Sequence, residues 1–430
     1  MTFTGQSLRG LVEPLAVDGQ LRQREIYLDG VSGRRPRVPT DLTLLEERAK
    51  EVMRPEAFAY IAGGAGTGAT MRANRDAFER QQIVPRMLRD TSVRDTAVEL
   101  FGRRLPAPFL LAPIGVAEMA HRDADLATAR AAAAEGIPMV FSNQASVPME
   151  DCARELGDSP RWFQLYWSKS DELVESFVGR AETCGCEAIV VTLDTTLLGW
   201  RTRDLDLGWL PFLRGMGIGQ YTSDPVFRRL VAEVEPDPDA PQPRPTPAAL
   251  KTLYALLRRR VSRASVQLFT DIYSRPSLSW ENLPFLRERT KLPILLKGIN
   301  HPDDARRALD AGIDGVIVSN HGGRQVDGAI GTLDALPAVA EAIDGRIPVL
   351  LDSGIRSGAD VFKSLALGAR AVLLGRPYIY ALALAGEAGV RQVLRDLQAD
   401  FNLTMGLAGC ASVDEIDPGM LTSIPARAAR

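Results

Sequence analysis

From residue 105 onward the chain repeats one pattern: a short apolar run, an abrupt polar or glycine-bearing corner, then a stretch with apolar residues at helical spacing. The runs cover residues 109–113, 137–142, 162–166, 188–194, 293–298, 315–320, 347–354 and 371–377. Each is brief and nearly continuous, as a strand covered on both faces requires. Helical stretches between them cover 123–134, 149–156, 170–184, 302–311, 336–343 and 359–367. Eight strand–helix alternations predict an α/β chain closed into a (β/α)8 TIM barrel. An open doubly wound sheet is the alternative. It lacks a fingerprint, because the glycine-rich segment 58–66 has no clean GxGxxG and no strand before it.

The pattern is weaker at the ends and broken once in the middle. Residues 1–40 are polar, rich in Gly, Pro and Arg, and read as a packing or mobile arm. Thr40-Asp41 then caps a helix through Leu42, Leu45, Ala49 and Val52, which Pro55 ends or restarts. Between Asp194 and Pro293 lie about a hundred residues, far more than a βα loop needs, and they are expected to lid or flank a site. The Pro-rich part, 236–247, reads as a solvated linker. Residues 381–397 and 401–408 are expected to be C-terminal helices on the barrel. The division expected is an N-terminal arm with helices over 1–104, a barrel over 105–415 with its insertion at 203–275, and a tail over 416–430.

Composition narrows the partners. At 430 residues, 45% hydrophobic and 24% charged, the chain has enough apolar mass for one large decorated domain or two modest ones. Its 51 basic and 54 acidic residues leave a net charge of -3, no footprint for nucleic acid or an anionic membrane. A small molecule is the expected partner. Cys152, Cys184, Cys186 and Cys410 lack paired spacing, which suits reduced thiols and a cytoplasmic location. No apolar run long enough for a membrane span, and no leader-like segment, is found.

A barrel of this kind gathers its chemistry where the strands end. There the runs deliver Pro113, Ile114 and Gly115; Ser142; Gln164 and Tyr166; Thr192 and Asp194; Lys297; Ser319, His321 and Arg324; Asp352, Gly354 and Arg356; and Gly375 and Arg376. Taken singly each has a bland reading: Asp194 could be a helix cap, and Asn320-His321-Gly322-Gly323 a turn that merely ends a strand. Together they exceed what solubility needs. The glycines and arginines after the last two strands suit a phosphate, so a phosphorylated cofactor or substrate is implied. Lys297 adds a fixed positive charge. His321 has the chemistry of a general base, with Asp194 to orient it, and Arg201 and Arg324 can clamp a carboxylate. Three scattered histidines give no metal-ligand spacing, so no metal is expected.

The motif Ser319-Asn320-His321-Gly322-Gly323-Arg324-Gln325, with Leu296-Lys297-Gly298, Asp352-Ser353-Gly354-Ile355-Arg356 and Leu374-Gly375-Arg376-Pro377, resembles the FMN-dependent 2-hydroxy acid oxidase and dehydrogenase family, from about Thr40 to Glu415. Within it, Leu193-Asp194-Thr195-Thr196-Leu197-Leu198-Gly199-Trp200-Arg201 and Gly115 resemble the lactate 2-monooxygenase branch more than the glycolate oxidases. The resemblance implies FMN against Pro113, Ile114 and Gly115, with Ser142, Gln164 and Thr192 bonding its ring and Lys297 beside it. It places the phosphate on Asp352 to Arg356 with Gly375 and Arg376. It gives the substrate carboxylate to Tyr60, Arg201 and Arg324, the substrate oxygen to Tyr166, and the hydroxyl proton to His321 as hydride leaves the α-carbon. Gln144 replaces an aromatic or apolar residue of several relatives beside the substrate. Expected further are a small 2-hydroxy acid such as L-lactate as substrate, O2 as acceptor, and a homotetramer or octamer. The alternatives are an oxidase releasing peroxide, a quinone-dependent dehydrogenase and, from a different class, an FMN-barrel isomerase or peptide-modifying enzyme, in which the carboxylate-binding set would be idle.

Overall fold

The computed structural model describes residues 17–234, 244 and 246–424. Its centre is a closed barrel of eight parallel strands: β1 Phe109–Leu111, β2 Met139–Phe141, β3 Arg161–Leu165, β4 Ile189–Thr192, β5 Ile294–Lys297, β6 Gly315–Val318, β7 Val349–Leu351 and β8 Ala371–Leu374. Neighbours in sequence are neighbours in space, and Leu373 of β8 lies opposite Leu110 of β1 to close the ring. Alternate residues point in and out. The inward set, including Leu110, Val140, Trp162, Val190, Leu295, Ile317, Leu350 and Leu373, packs with Val98, Leu100 and Leu105 of the hairpin Val98–Leu100 and Arg103–Leu105. That hairpin plugs the end at which the strands begin. Polar chemistry is therefore confined to the opposite mouth. The outward set, including Leu111, Phe141, Phe163, Val191 and Val318, joins the core shared with the surrounding helices.

Three elements differ from the sequence expectation. The arm holds a helix, Gly19–Val31, that has almost no buried face of its own. It is held by polar contacts to the C-terminal helix, Arg22 to Asp396 at 2.8 Å and the Gly19 N–H to Asn402 at 3.1 Å, so no apolar periodicity announces it. The helix expected from 336 begins at Thr332, with Pro337 inside it. The C-terminal helices run over Arg376–Ala408 and break at Ala385 and Gly386, not between 397 and 401. Gly386 adopts φ +58°, and a Cβ there would meet the His121 ring at 3.1 Å, so this glycine sets the kink.

The long connection after β4 is helical, with Thr202–Asp206, Gly219–Ser223, Pro225–Glu233, Pro247–Arg259 and Arg263–Ile272 as its main pieces. The linker expected at 236–247 falls mostly outside the described residues. Among the described residues no helix is long and apolar enough to cross a membrane. The four cysteines are free.

Candidate active site

The strand ends and the insertion enclose a cavity of about 1120 Å³, counting its open mouth. Its wall includes Tyr60, Pro113, Ile114, Gly115, Gln144, Gln164, Tyr166, Thr192, Arg201, Lys297, His321, Arg324, Asp352, Gly354, Arg356, Gly375 and Arg376. Ser142 and Ser319 stand just behind it: Ser142 Oγ accepts from the Gln144 N–H at 3.1 Å, and Ser319 Oγ accepts from Lys297 Nζ at 2.7 Å. The sequence pattern assigned no role to Thr195, Leu198, Phe212 or Tyr273, which share the wall with Ser353 of the expected phosphate stretch. Thr195 could have been found as a hydroxyl beside Asp194. Phe212 and Tyr273 belong to the insertion, where nothing in the pattern marks them.

His321 sits at a corner that only a strained backbone can make. Its φ is +56°, followed by Gly322 at +65° and Gly323 at +75°. A Cβ at Gly323 would press on the Met71 backbone N at 2.8 Å, so the turn needs glycine for space as well as for conformation. Asn320 and Asn74 lock it through a reciprocal amide pair at 2.9 and 2.7 Å, and Asn320 Oδ1 also accepts the Gly323 N–H. Held there, His321 Nδ1 lies 2.8 Å from Asp194 Oδ1 and 3.1 Å from the Thr195 hydroxyl. The carboxylate can only accept, so Nδ1 carries the proton and Nε2 is the basic nitrogen. Burial pushes the Asp194 carboxyl up, but His321, Lys297 and Thr195 outweigh it and hold it down at about 2. His321 is pushed below its ordinary value by burial, which Asp194 only partly offsets.

Cations dominate the rest of the cavity. Lys297 pairs with Asp352 at 2.8 Å. Burial lowers its ammonium, but Asp352 and Asp194 more than compensate and raise it above the usual lysine value. Asp352 thus turns its carboxylate toward Lys297, which leaves Arg356 and the neighbouring backbone as what this corner offers an anion. Arg324 Nη1 donates to the carbonyls of Tyr60 and Gly63, and Arg201 Nη2 to Gln325 Oε1 at 3.1 Å. Both guanidinium groups lie over the Tyr60 ring, 4.9 and 5.9 Å from its centroid. Arg376 spans the carbonyls of Ile61, Gly322 and Gly63 at 2.8–3.0 Å. Among the described residues none of these guanidinium groups, nor that of Arg356, forms an ion pair. Burial, with Arg201 nearby, pulls Arg324 down to about 9, and burial pulls Arg356 down to about 10. Both remain charged near neutrality, and a bound anion would relieve the cost.

Two donors wait on the opposite wall. Gln164 Nε2 on β3 and Thr192 Oγ1 on β4 are buried without a hydrogen-bond partner. Orphaned buried donors cost free energy and signal a missing ligand.

The family model for FMN-dependent dehydrogenase matches residues 49–423. The chain belongs to this family. It is 43% identical over 396 residues to an FMN-dependent alpha-hydroxy acid dehydrogenase of Penicillium citrinum, covering 91% of this chain and 92% of that one. It is 41% identical over 390 residues to an L-lactate oxidase of Lysinibacillus sphaericus, covering 91% and 94%. The crystal structure of mandelate oxidase with (S)-4-hydroxymandelic acid superposes with a TM-score of 0.75 at 38% identity, covering 90% of this chain and 99% of that one. The cofactor is accordingly FMN, and the chain is an FMN-dependent 2-hydroxy acid oxidoreductase. The residues present fit that group: unpartnered donors on β3 and β4 suit a flat polar ring system, and unneutralised guanidinium groups beyond β7 and β8 suit its phosphate.

Proposed function

We propose that the enzyme oxidises a small L-2-hydroxy acid, L-lactate or a close analogue, with O2 as acceptor. The observation that carries this reading is one cavity holding a carboxylate-oriented imidazole, at 2.8 Å, beside Arg201 and Arg324 without acidic partners. FMN, when bound, accepts the electrons of the oxidation. Pro113, Ile114 and Gly115 would support it, Gln164 and Thr192 would bond it directly, Ser142 and Ser319 would brace that wall from behind, and Lys297 would supply positive charge near it. Arg356 and Arg376, with Gly354 and Gly375, would hold the phosphate, while Asp352 holds Lys297 at 2.8 Å.

Arg201 and Arg324 take the substrate carboxylate together with the Tyr60 hydroxyl. Two such cations on one small anion fix its orientation as well as its affinity. Tyr166, whose hydroxyl is kept protonated by burial, donates to the substrate oxygen. His321 Nε2 removes the hydroxyl proton, and Asp194 stabilises the resulting imidazolium across 2.8 Å. Gln144, Leu198, Phe212 and Tyr273 border the α-carbon's side chain.

The finer outcome we propose is oxidative decarboxylation in the manner of lactate 2-monooxygenase, in which peroxide and oxo acid react before leaving. The insertion is the feature behind this preference, because Phe212 and Tyr273 line the cavity. Release of oxo acid and peroxide is the second reading, favoured by the likeness to an L-lactate oxidase. Anaerobic mixing with a panel of L-2-hydroxy acids, followed by product analysis under O2, tests both. Bleaching by L-lactate and formation of acetate supports the first reading; pyruvate with stoichiometric free peroxide rejects it for the second. We also propose an assembly of four or eight copies, as the family resemblance implies; Leu197 and Trp200, exposed on the loop that follows β4, are apolar surface that a neighbouring copy could cover.

A further inference from the structure

The insertion reaches past the substrate side of the cavity. Residues 217–221 dock along the loops after β1 and β2: the Gly217 N–H donates to Glu118 Oε1 at 3.1 Å, the Gly219 N–H to the Ala145 carbonyl at 3.0 Å, and Gln220 Oε1 accepts from the Met149 N–H at 3.0 Å. A Cβ at Gly219 would stand 2.7 Å from the Ser146 carbonyl oxygen, so the contact is close. At the end of this seam the fully buried Tyr221 donates its hydroxyl to Asn143 Oδ1 at 2.9 Å. The backbone N–H of the same residue, Asn143, donates to Gln164 Oε1 at 3.0 Å. Only the amide oxygen of Gln164 can accept from that N–H. The amide cannot flip, and Nε2 is left as the unpartnered donor in the cavity wall. The Tyr221 ring is itself fixed by edge-on contacts with Phe177, Phe227 and Phe269, at 5.0, 5.4 and 4.8 Å.

We propose that Tyr221 is a positioning residue for the cofactor: through Asn143 it sets the Gln164 amide as a donor to the FMN ring, so the insertion tunes the flavin as well as walling the substrate. A donor aimed at the ring stabilises the electron-rich reduced form more than the oxidised form. The inference rests on FMN occupying this cavity.

The test is Tyr221→Phe, which removes one oxygen and keeps the aromatic box, alone and in a Gln164→Leu background. FMN affinity of the apoprotein, midpoint potential and the visible spectrum are read for each holoenzyme. Tyr221→Phe should weaken FMN binding about 3–10-fold, the size of one hydrogen bond, and shift the potential to more negative values. In the Gln164→Leu background the same change should add nothing, because the path ends at Gln164. An unchanged potential in Tyr221→Phe, or an equal shift with Gln164 absent, overturns the proposal while leaving the cofactor assignment standing. Failure of the wild-type chain to bind FMN would sink the cofactor assignment itself. If Tyr221→Phe does not accumulate folded, Asn143→Ala removes the acceptor of the Tyr221 hydroxyl while keeping the backbone N–H to Gln164, with the same expected and overturning results.

Discussion

The two sides of the cavity are made differently. The barrel side consists of single side chains at the ends of strands, each fixed by covalent attachment to a core that has no freedom to shift. The insertion side is a cluster of aromatic rings, Phe212, Tyr221, Phe269 and Tyr273, packed on one another at centroid distances of 4.8–5.2 Å among the Phe269 contacts. The first arrangement places charge, and the second places volume. Chemistry should therefore fail when a strand-end residue is changed, whereas substrate choice should change when Phe212 or Tyr273, the insertion rings in the cavity wall, is changed.

His321→Gln should show this most sharply. Flavin reduction by substrate is expected to slow about 10³–10⁴-fold with FMN still bound, as stopped-flow absorbance would record; near-normal reduction would remove His321 from proton transfer. Arg324→Met comes next. Removing a buried cation from its anion costs about 2–4 kcal/mol, so KM should rise by two orders of magnitude or so while kcat falls less. A large kcat loss at unchanged KM would contradict the carboxylate role.

On the insertion side, Phe212→Ala should lower stability by about 3 kcal/mol and move the ratio of kcat/KM toward bulkier 2-hydroxy acids. An unaltered preference for L-lactate over mandelate would break the division between charge and volume. The pH dependence lies between the two sides. His321 is depressed below 6.5, so its basic form persists below that value and the acid limb of kcat/KM should fall at a pH lower than 6.5. The sign for stability agrees: the unfolded chain holds these protons more tightly, so the His321 contribution is lost as pH falls through its folded value. The Asp194 contribution is lost below 3.8, toward about 2. An acid limb centred above 6.5 would contradict the burial argument.

The smallest effect is expected at Gly115. The space left by its missing methyl faces Gln144, whose Cβ and carbonyl oxygen would lie 3.0 and 3.1 Å from an added Cβ. Gly115→Ala should therefore cost about 1 kcal/mol of strain and act on the product ratio by displacing Gln144.

Much of the barrel side was legible in the sequence because strand ends announce themselves. An apolar run that stops at Asp, Lys or His leaves one place for that residue to go, and eight such stops share one mouth. What surrounds them was less legible. Asn74 is buried in the helix Ala69–Arg80 and meets Asn320 only in the folded chain, 246 residues away. Phe212 lies in the short helix Pro211–Arg214 and Tyr273 just after the helix Arg263–Ile272, so no simple period marks which ring turns inward. The helix Gly19–Val31 is held by side-chain polar contacts, and its exposed surface carries no stripe to find.

The closure of the barrel also sets a schedule for biosynthesis. Leu110 acquires its partner Leu373 only when 263 further residues have been made (373 − 110), and the strand Gln81–Ile83 pairs with Leu421–Ser423 later still. At about 5–20 residues per second, one edge of β1 stays open on the ribosome for roughly 15–50 s. An open apolar edge is a template for pairing with another chain. The yield of folded enzyme should therefore depend on what shields that edge during translation, and slow translation should lower the yield.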